Sequence, residues 1–377
     1  MKGKAKASFN SPNLLDKNRI GTLENMLTPA FIPAFAGSPD CLAVIRRTVE
    51  SVVPGWRGRI FQNSSSREQN GASNGQEFYH ESVLMEEVLS GLEPAEGKFF
   101  LDGTLGGGGH SERLLESGAE VVGMDRDLDA LAYAGRRLQV FGDRFRAEQG
   151  NFSEMRSVVP AQSVDGVLLD LGVSSWQLDQ AGRGFSFQKE GPLDMRMNQS
   201  AGETAADYVN TRSAEELANI FFLYGEEKAS RRIAAAIVKA RDEQEFTSTL
   251  QLADCVQKTM GGRGRKHPAT RVFQALRIAV NTELDSVTAG LEAAKDVLKP
   301  GGILAVITFH SLEDRLVKQF LKKGSVEFLD RPEWPEPRPN PELAWDLISR
   351  KAISAGDVEL ARNTRARSAK LRLARRR

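Results

Sequence analysis

Three aspartates, Asp102, Asp125 and Asp170, each stand at the end of a short apolar run, and the first is followed by the glycine stretch Gly106-Gly107-Gly108-Gly109. Glycines let a backbone approach a ligand closely and take φ > 0 where a turn needs it. A helix beginning near His110 offers free N–H groups and a partial positive charge to an anionic group. Asp125 lies about 20 residues past the loop, where doubly wound folds hold the hydroxyls of a ribose. Its alternative is to cap the following helix, residues 127–138. Asp170 closes the clearest buried strand, and an acid there needs a partner or a ligand. The chemistry suggested is the binding of a nucleoside-type cofactor, with a bare glycine turn as the bland alternative.

These residues need a frame, and the pattern supplies one. Residues 99–102, a glycine turn and an amphipathic segment with Leu114 and Leu115 open a βαβ unit. Residues 121–124 form the next strand. Residues 145–148 form a third, delivering Gly150-Asn151-Phe152 to the same edge. Phe152 reads either as a face for a purine or as a core aromatic. Residues 164–170 and 303–309 complete the set, the latter ending at His310-Ser311. A strand-end histidine serves equally as a site residue or a structural one.

Between the last two strands the pattern changes. A long loop carries Arg183-Gly184-Phe185 and Leu193-Asp194-Met195-Arg196, and loops of that length are usually functional or disordered. From Ser213, which forms a capping box with Glu216, the spacing is helical. Leu217, Ile220, Phe221 and Tyr224 give one buried face, and Ile233, Ile237, Leu252 and Val256 repeat it. This predicts an all-helical module inserted in the sheet domain, ending in a basic loop at residues 261–267. That loop suits RNA phosphates or serves as a solvated hinge. Helices over 268–281, 283–298 and 312–323 follow.

The 377 residues allow about two domains with tails, and the net charge of +1 confines any nucleic-acid affinity to local patches. Cys41 and Cys255 form no metal or redox spacing, so no metal is expected. No apolar run reaches the ~18 residues needed to span a bilayer, and a cytoplasmic protein is expected. Residues 1–76 are rich in Ser, Asn, Gly and Pro and read as disordered. A transit segment, which would move the protein to an organellar matrix, and an over-long reading frame are the alternatives. Residues 362–377 hold eight basic residues and no acid. They favour RNA contact, with residues 365–372 able to alternate as an edge strand.

Taken together, the residues resemble one family, the S-adenosylmethionine-dependent 16S ribosomal RNA cytosine-N4 methyltransferases. The matching motifs are His80 to Leu84, Asp102-Gly103-Thr104, Gly107-Gly108-Gly109-His110-Ser111 and Asp125-Arg126-Asp127. They continue through Leu168 to Ser175, Gln177-Leu178-Asp179, Arg183 to Phe187 and Gly191 to Met197. Tyr224 to Glu227, His267 to Arg271, Phe309 to Arg315 and Arg365 to Arg372 complete them. They run in order from Phe78 to the C-terminus; residues 1–76 have no counterpart.

The resemblance implies a Rossmann-like class I methyltransferase sheet, an inserted helical domain for RNA recognition and a disordered N-terminal extension. The corresponding divisions are 1–76, 77–177, 178–267 and 268–377. It places cofactor contacts on Gly108, Gly109, His110, Asp125, Phe152, Asp170 and Gln177. It implies methyl transfer to a decoding-site cytosine, position 1402 in bacterial numbering, in small-subunit RNA, with a homodimer as an open oligomeric state. For a group that orients the cytosine amine, the sequence offers Asp170, Asp194 and His310 without ranking them. Two rivals stand against this reading. One is a nicotinamide-dependent oxidoreductase, disfavoured because the loop is not a clean G-x-G-x-x-G. The other is a non-catalytic ribosome-assembly factor, disfavoured by the intact acidic strand ends.

Overall fold

A computed structural model describes residues 82–261 and 267–377. The extension and most of the basic loop after Gly261 lie outside the described residues.

In chain order the elements are α1 (Met85–Leu92), β1 (Phe99–Asp102), α2 (Gly109–Glu116), β2 (Glu120–Asp125), α3 (Leu128–Leu138), β3 (Phe145–Gln149) and β4 (Val164–Asp170). A short α4 (Ser175–Asp179) leads into α5 (Ala205–Thr211), α6 (Ala214–Leu223), α7 (Ser230–Arg241), α8 (Thr249–Met260) and α9 (Ala269–Asn281). The chain returns through α10 (Glu283–Val297), β5 (Leu298–Thr308) and α11 (Ser311–Lys323). It ends with β6 (Phe328–Leu329), β7 (Arg338–Pro339), β8 (Trp345–Leu347), α12 (Asp357–Arg362) and β9 (Lys370–Arg376).

Seven strands form one sheet in the order β3-β2-β1-β4-β5-β9-β8. The first five are mutually parallel, and β9 is antiparallel to both β5 and β8. This is the expected Rossmann-like sheet. Its order reverses between β1 and β4, and ligands of such sheets bind outside the strand carboxyl ends at that switch point.

Period-two alternation explains why both faces are covered. Leu101, Val122, Met124, Val167 and Leu169 pack with Val287 and Leu291 of α10 and Val317 and Leu321 of α11. Phe100, Val121, Leu168, Ile303 and Ile307 face the other way, against Leu92 of α1, Leu114 and Leu115 of α2 and Leu138 of α3.

A third core belongs to the inserted helices and unites Leu217, Phe221, Ile233, Ile237, Leu252 and Val256. Ser213 caps α6 through a complete box with Glu216. Val272, Phe273 and Leu276 of α9 pack into this same core, so α9 shares the insert's interior although it follows the expected division at 267.

Two differences from the sequence reading have local causes. β5 begins at Leu298 rather than at Ile303, because Val164 pairs with Leu298 and a register shift carries the strand over the Pro-Gly-Gly stretch. The basic C-terminus forms β9, which lies between β5 and β8 and is not an edge strand. Leu371 and Leu373 are buried there, while Lys370 and Arg372 reach Asp314 at 3.3 and 2.8 Å.

Candidate active site

The strand ends fix the site. Asp102 is buried at the end of β1, accepting from the Ser111 hydroxyl at 2.7 Å and the Thr104 amide at 3.1 Å. Burial pushes its pKa up to about 6 despite those donors. It anchors the start of α2 beneath the loop. Thr104 Oγ1 in turn accepts from the Asp170 amide at 2.6 Å, tying the β1 turn to the end of β4.

The glycine turn is shaped by close approach. Gly108 caps α2 at φ +77°, where L side chains are strained, and a Cβ at Gly109 would come 2.2 Å from Ser82 Oγ. His110 is buried, and its Nε2 lies 3.0 Å from the Val83 carbonyl. A carbonyl only accepts, so Nε2 carries the proton and Nδ1 offers a lone pair. Nδ1 stands 3.8 Å from Asp170 Oδ2. Burial lowers the His110 pKa to about 4, which keeps the ring neutral.

Asp125 is not the cap of the next helix. Asp127 fills that role, accepting from the Asp129 amide. Asp125 accepts the Gly106 amide on Oδ2 at 2.8 Å and the Asp127 amide on Oδ1 at 2.9 Å, which locks it to the loop. Each oxygen keeps a second lone pair, enough to accept two vicinal hydroxyls. Burial raises its pKa to about 6, with Asp127 and Asp102 adding repulsion.

Phe152 is a core aromatic, one of the two readings offered for it. Its ring packs on the sheet core and lies so close to α10 that a Cβ at Gly290 would approach it to 2.4 Å. It also lines a cavity of about 330 Å³, within the range of small-molecule sites. Gly109, His110, Asp125, Asp170 and Gln177 line the same cavity. Gly108 is absent from that lining; it sits behind the loop against Leu138 and Ala134. Gln177 is heavily engaged, closing the Ser174 capping box and donating to Asp127 at 2.7 Å.

Of the three candidates for orienting the amine, only Asp170 lines the cavity. Its Oδ1 is buried without a partner, and burial, with repulsion from Asp102 and Glu313, pushes its pKa up to about 8. Asp194 is instead bound by the Arg196 guanidinium at 2.8 Å on both oxygens. Burial works to raise its pKa, but that pairing holds it below the usual carboxylate range. His310 caps α11 in a box with Glu313, its Nδ1 facing the Glu313 amide at 3.4 Å.

Sequence reasoning missed the polar web around this cleft. Arg277 binds both oxygens of Glu283 at 2.8 Å, and both residues line the cavity. Glu283, His310 and Glu313 have ligand atoms within 4.8 Å of one another. The guanidinium of Arg277 already supplies the positive charge that Glu283 needs. Asn281 accepts the Met197 amide and donates to the Met195 carbonyl, pinning the long loop beside the cavity. The signal was faint, since Arg277 and Glu283 flank a helix break and no periodicity links them.

A Rossmann-like sheet with a nucleoside-sized cleft over its switch point, Asp125 at the end of β2 and an unpaired acid on β4 has the frame of an enzyme that binds a nucleoside cofactor, and the family identifies it as a methyltransferase. The chain belongs to the MraW methylase family, whose model matches residues 77–377. It is 52% identical over 308 residues to ribosomal RNA small subunit methyltransferase H of Syntrophotalea carbinolica, covering 79% of this chain and 98% of that one. The protein of the same name from Caulobacter sp. strain K31 is 52% identical over 307 residues, covering 80% and 94%. That of Carboxydothermus hydrogenoformans is 49% identical over 304 residues, covering 79% and 98%. Among solved structures, an rRNA methylase from Streptococcus thermophilus aligns at a TM-score of 0.35 and 10% identity, over 78% of this chain and 93% of that one; a likeness so slight adds nothing to the assignment.

S-adenosylmethionine is the methyl donor. The residues present fit it: a cradle that a Cβ at Gly109 would fill, a carboxylate with free lone pairs at Asp125, an aromatic face at Phe152 and an orphaned acceptor at Asp170. Among the described residues, no helix is long and apolar enough to cross a membrane.

Proposed function

We propose that this enzyme methylates the N4 amine of a cytosine in small-subunit ribosomal RNA, at the decoding-site position numbered 1402 in bacteria. The printed names of its relatives support ribosomal RNA as the substrate, and the family resemblance supports cytosine N4. Asp125 would hold the donor's ribose hydroxyls and Phe152 its purine face. The turn at Gly109 and His110, with Asp170 and Gln177, would complete the donor's contacts, Gly108 shaping the turn from behind.

The bound donor supplies an electrophilic methyl group, which leaves sulfur as N4 bonds to it, the electron pair staying on sulfur as a thioether. The enzyme's task is then to hold the amine in line and accept the proton that N4 gives up. The observation that carries this reading is the unpartnered Oδ1 of Asp170 in the cleft wall. With its pKa raised to about 8, the ionised form of this carboxyl is a stronger base than an ordinary carboxylate, and the ionised fraction grows as pH rises towards 8. The cytosine must be extruded from its stack to reach the strand edge. The insert would hold the flanking RNA.

Mass mapping of small-subunit RNA from cells with and without the gene tests the proposal. A methylcytosine that disappears with the gene and returns with the wild-type chain, but not with Asp170→Asn, is the expected result. An unchanged RNA overturns it.

A further inference from the structure

Four arginines line the cleft: Arg126, Arg137, Arg277 and Arg365. Three are committed within the fold. Arg126 donates to the Asn281 carbonyl at 2.7 Å. Arg137 is paired with Glu112 and donates to the Gly107 carbonyl. Arg277 is held in a two-point pair by Glu283. Arg365 differs. Its Nη1 is buried and meets no acceptor, and its one ion-pair neighbour, Asp179, stands 3.6 Å from Nη2. A guanidinium is charged at any working pH and presents its donors in a fixed planar fork suited to oxyanions.

The position of Arg365 indicates which oxyanion. Along the carboxyl edge the cavity residues follow sheet order: Phe152 after β3, Asp125 on β2, the glycine turn after β1, Asp170 on β4, Phe309 after β5, then Arg365 and Ser368 ahead of β9. The donor's purine and ribose fall at the β3–β2 end. The charges that bear on Asp170 are those of Asp102 and Glu313, while the one that bears on Arg365 is Asp179. Arg365 therefore belongs to the far end of the cleft, beyond Asp170, where the acceptor nucleotide enters.

We propose that Arg365 is the residue that binds the phosphate of the target nucleotide, its guanidinium turning onto the oxyanion once the RNA is seated. The proposal rests on the reading of the enzyme as an RNA methyltransferase. It also separates Arg365 from Lys370, Arg372 and Arg377, which are paired with Asp314, Asp346 and Glu327.

The test uses the full chain, small-subunit ribosomal RNA and S-adenosylmethionine, comparing wild type with Arg365→Gln and Arg365→Lys. For Arg365→Gln the expected result is a KM for RNA raised at least tenfold, kcat and donor Kd within twofold of wild type, and Arg365→Lys between the two. The log–log salt dependence of RNA binding should become shallower by about 0.7, the loss of one single-strand phosphate contact. A fall in donor affinity with unchanged RNA binding assigns the guanidinium to the donor's carboxylate and overturns the proposal. So does a variant that matches wild type in every measure, or one that loses kcat and thermal stability together. A wild-type enzyme that methylates no ribosomal RNA overturns the functional reading itself, and this inference with it.

Discussion

Arg183 Nη1 meets Asp127 Oδ2 at 2.7 Å with both side chains about 95% buried, joining the loop that enters the insert to the helix that follows Asp125. The same guanidinium donates from Nη2 to the carbonyls of Arg196 and Met197, and it lies 5.5 Å from the Trp176 ring. Asp127 also accepts from Gln177. Removing one member leaves the other charge buried and unpaired, at a cost of about 3–5 kcal/mol. Arg183→Met is expected to lower unfolding stability by that amount in a denaturant titration. Asp127→Asn should cost a similar amount, because asparagine keeps one oxygen, enough for the Asp129 amide, and turns an N–H towards the Gln177 and Arg183 donors.

Asp125 makes the second prediction. Its oxygens already hold the Gly106 and Asp127 amides, so it would meet a donor's ribose prealigned. Hydrogen bonds to a charged group contribute roughly 1.5–3 kcal/mol each. Asp125→Ala should weaken donor binding by at least about a hundredfold in calorimetry. Near-wild-type affinity would remove the ribose assignment.

The depth of legibility differs from residue to residue. Asp102, Asp125 and Asp170 were readable because each ends an apolar run, and such runs become strands whose carboxyl ends share an edge. The Asp127–Arg183 pair was not, because its partners are 56 residues apart and nothing in a local pattern encodes a long-range contact. His310 was ambiguous for a different reason. A strand-end histidine can face a cleft or turn back to cap the next helix, and only the position of the Glu313 amide decides. β9 was legible as a strand but not as an interior one, since alternation looks the same at either place and its outer neighbour β8 is only three residues long.

Gly290 and Phe152 give a prediction about shape. A Cβ at Gly290 would lie 2.4 Å from the Phe152 ring, which has the sheet core behind it and the cavity in front. Overpacking of this kind costs about 1–3 kcal/mol, and the ring's easiest relief is into the cleft. Gly290→Ala should therefore weaken donor affinity about tenfold while the chain still folds cooperatively. An unchanged Kd would show that the ring does not border the bound donor.

Asp170 predicts a pH dependence of stability. Its pKa rises from 3.8 to about 8 on folding, mainly through burial. Between those values the folded chain keeps a proton that the unfolded chain has released, so unfolding releases it and stability falls as pH rises. The contribution is complete below the lower value and gone once pH passes the upper one. Asp102 and Asp125 have titrated by about 6, which leaves the span from about 6.5 to 8 to Asp170. Wild type should lose stability across that span, and Asp170→Asn should not. Equal slopes for the two would contradict the assignment.

The last prediction concerns the basic C-terminus, which invites deletion as an RNA-binding arm. In the fold it is load shared by the sheet. β9 pairs with β5 from Thr308 to Ile303 and with β8 through Arg376, Arg375 and Ala374. Removing it takes Leu371, Leu373 and Ala374 out of two cores and strips the partner strand from β5. Each buried leucine alone contributes about 2–5 kcal/mol when its side chain is lost to alanine. Two of them match much of a typical domain's net stability of about 5–15 kcal/mol. Truncation ahead of Lys370 should therefore give a chain without a cooperative thermal transition, and its lost RNA binding would report unfolding. Single substitutions of the exposed, acid-paired Lys370 or Arg377 should leave melting within a few degrees. A truncated chain that melts cooperatively near the wild-type temperature would place β9 outside the sheet's stability.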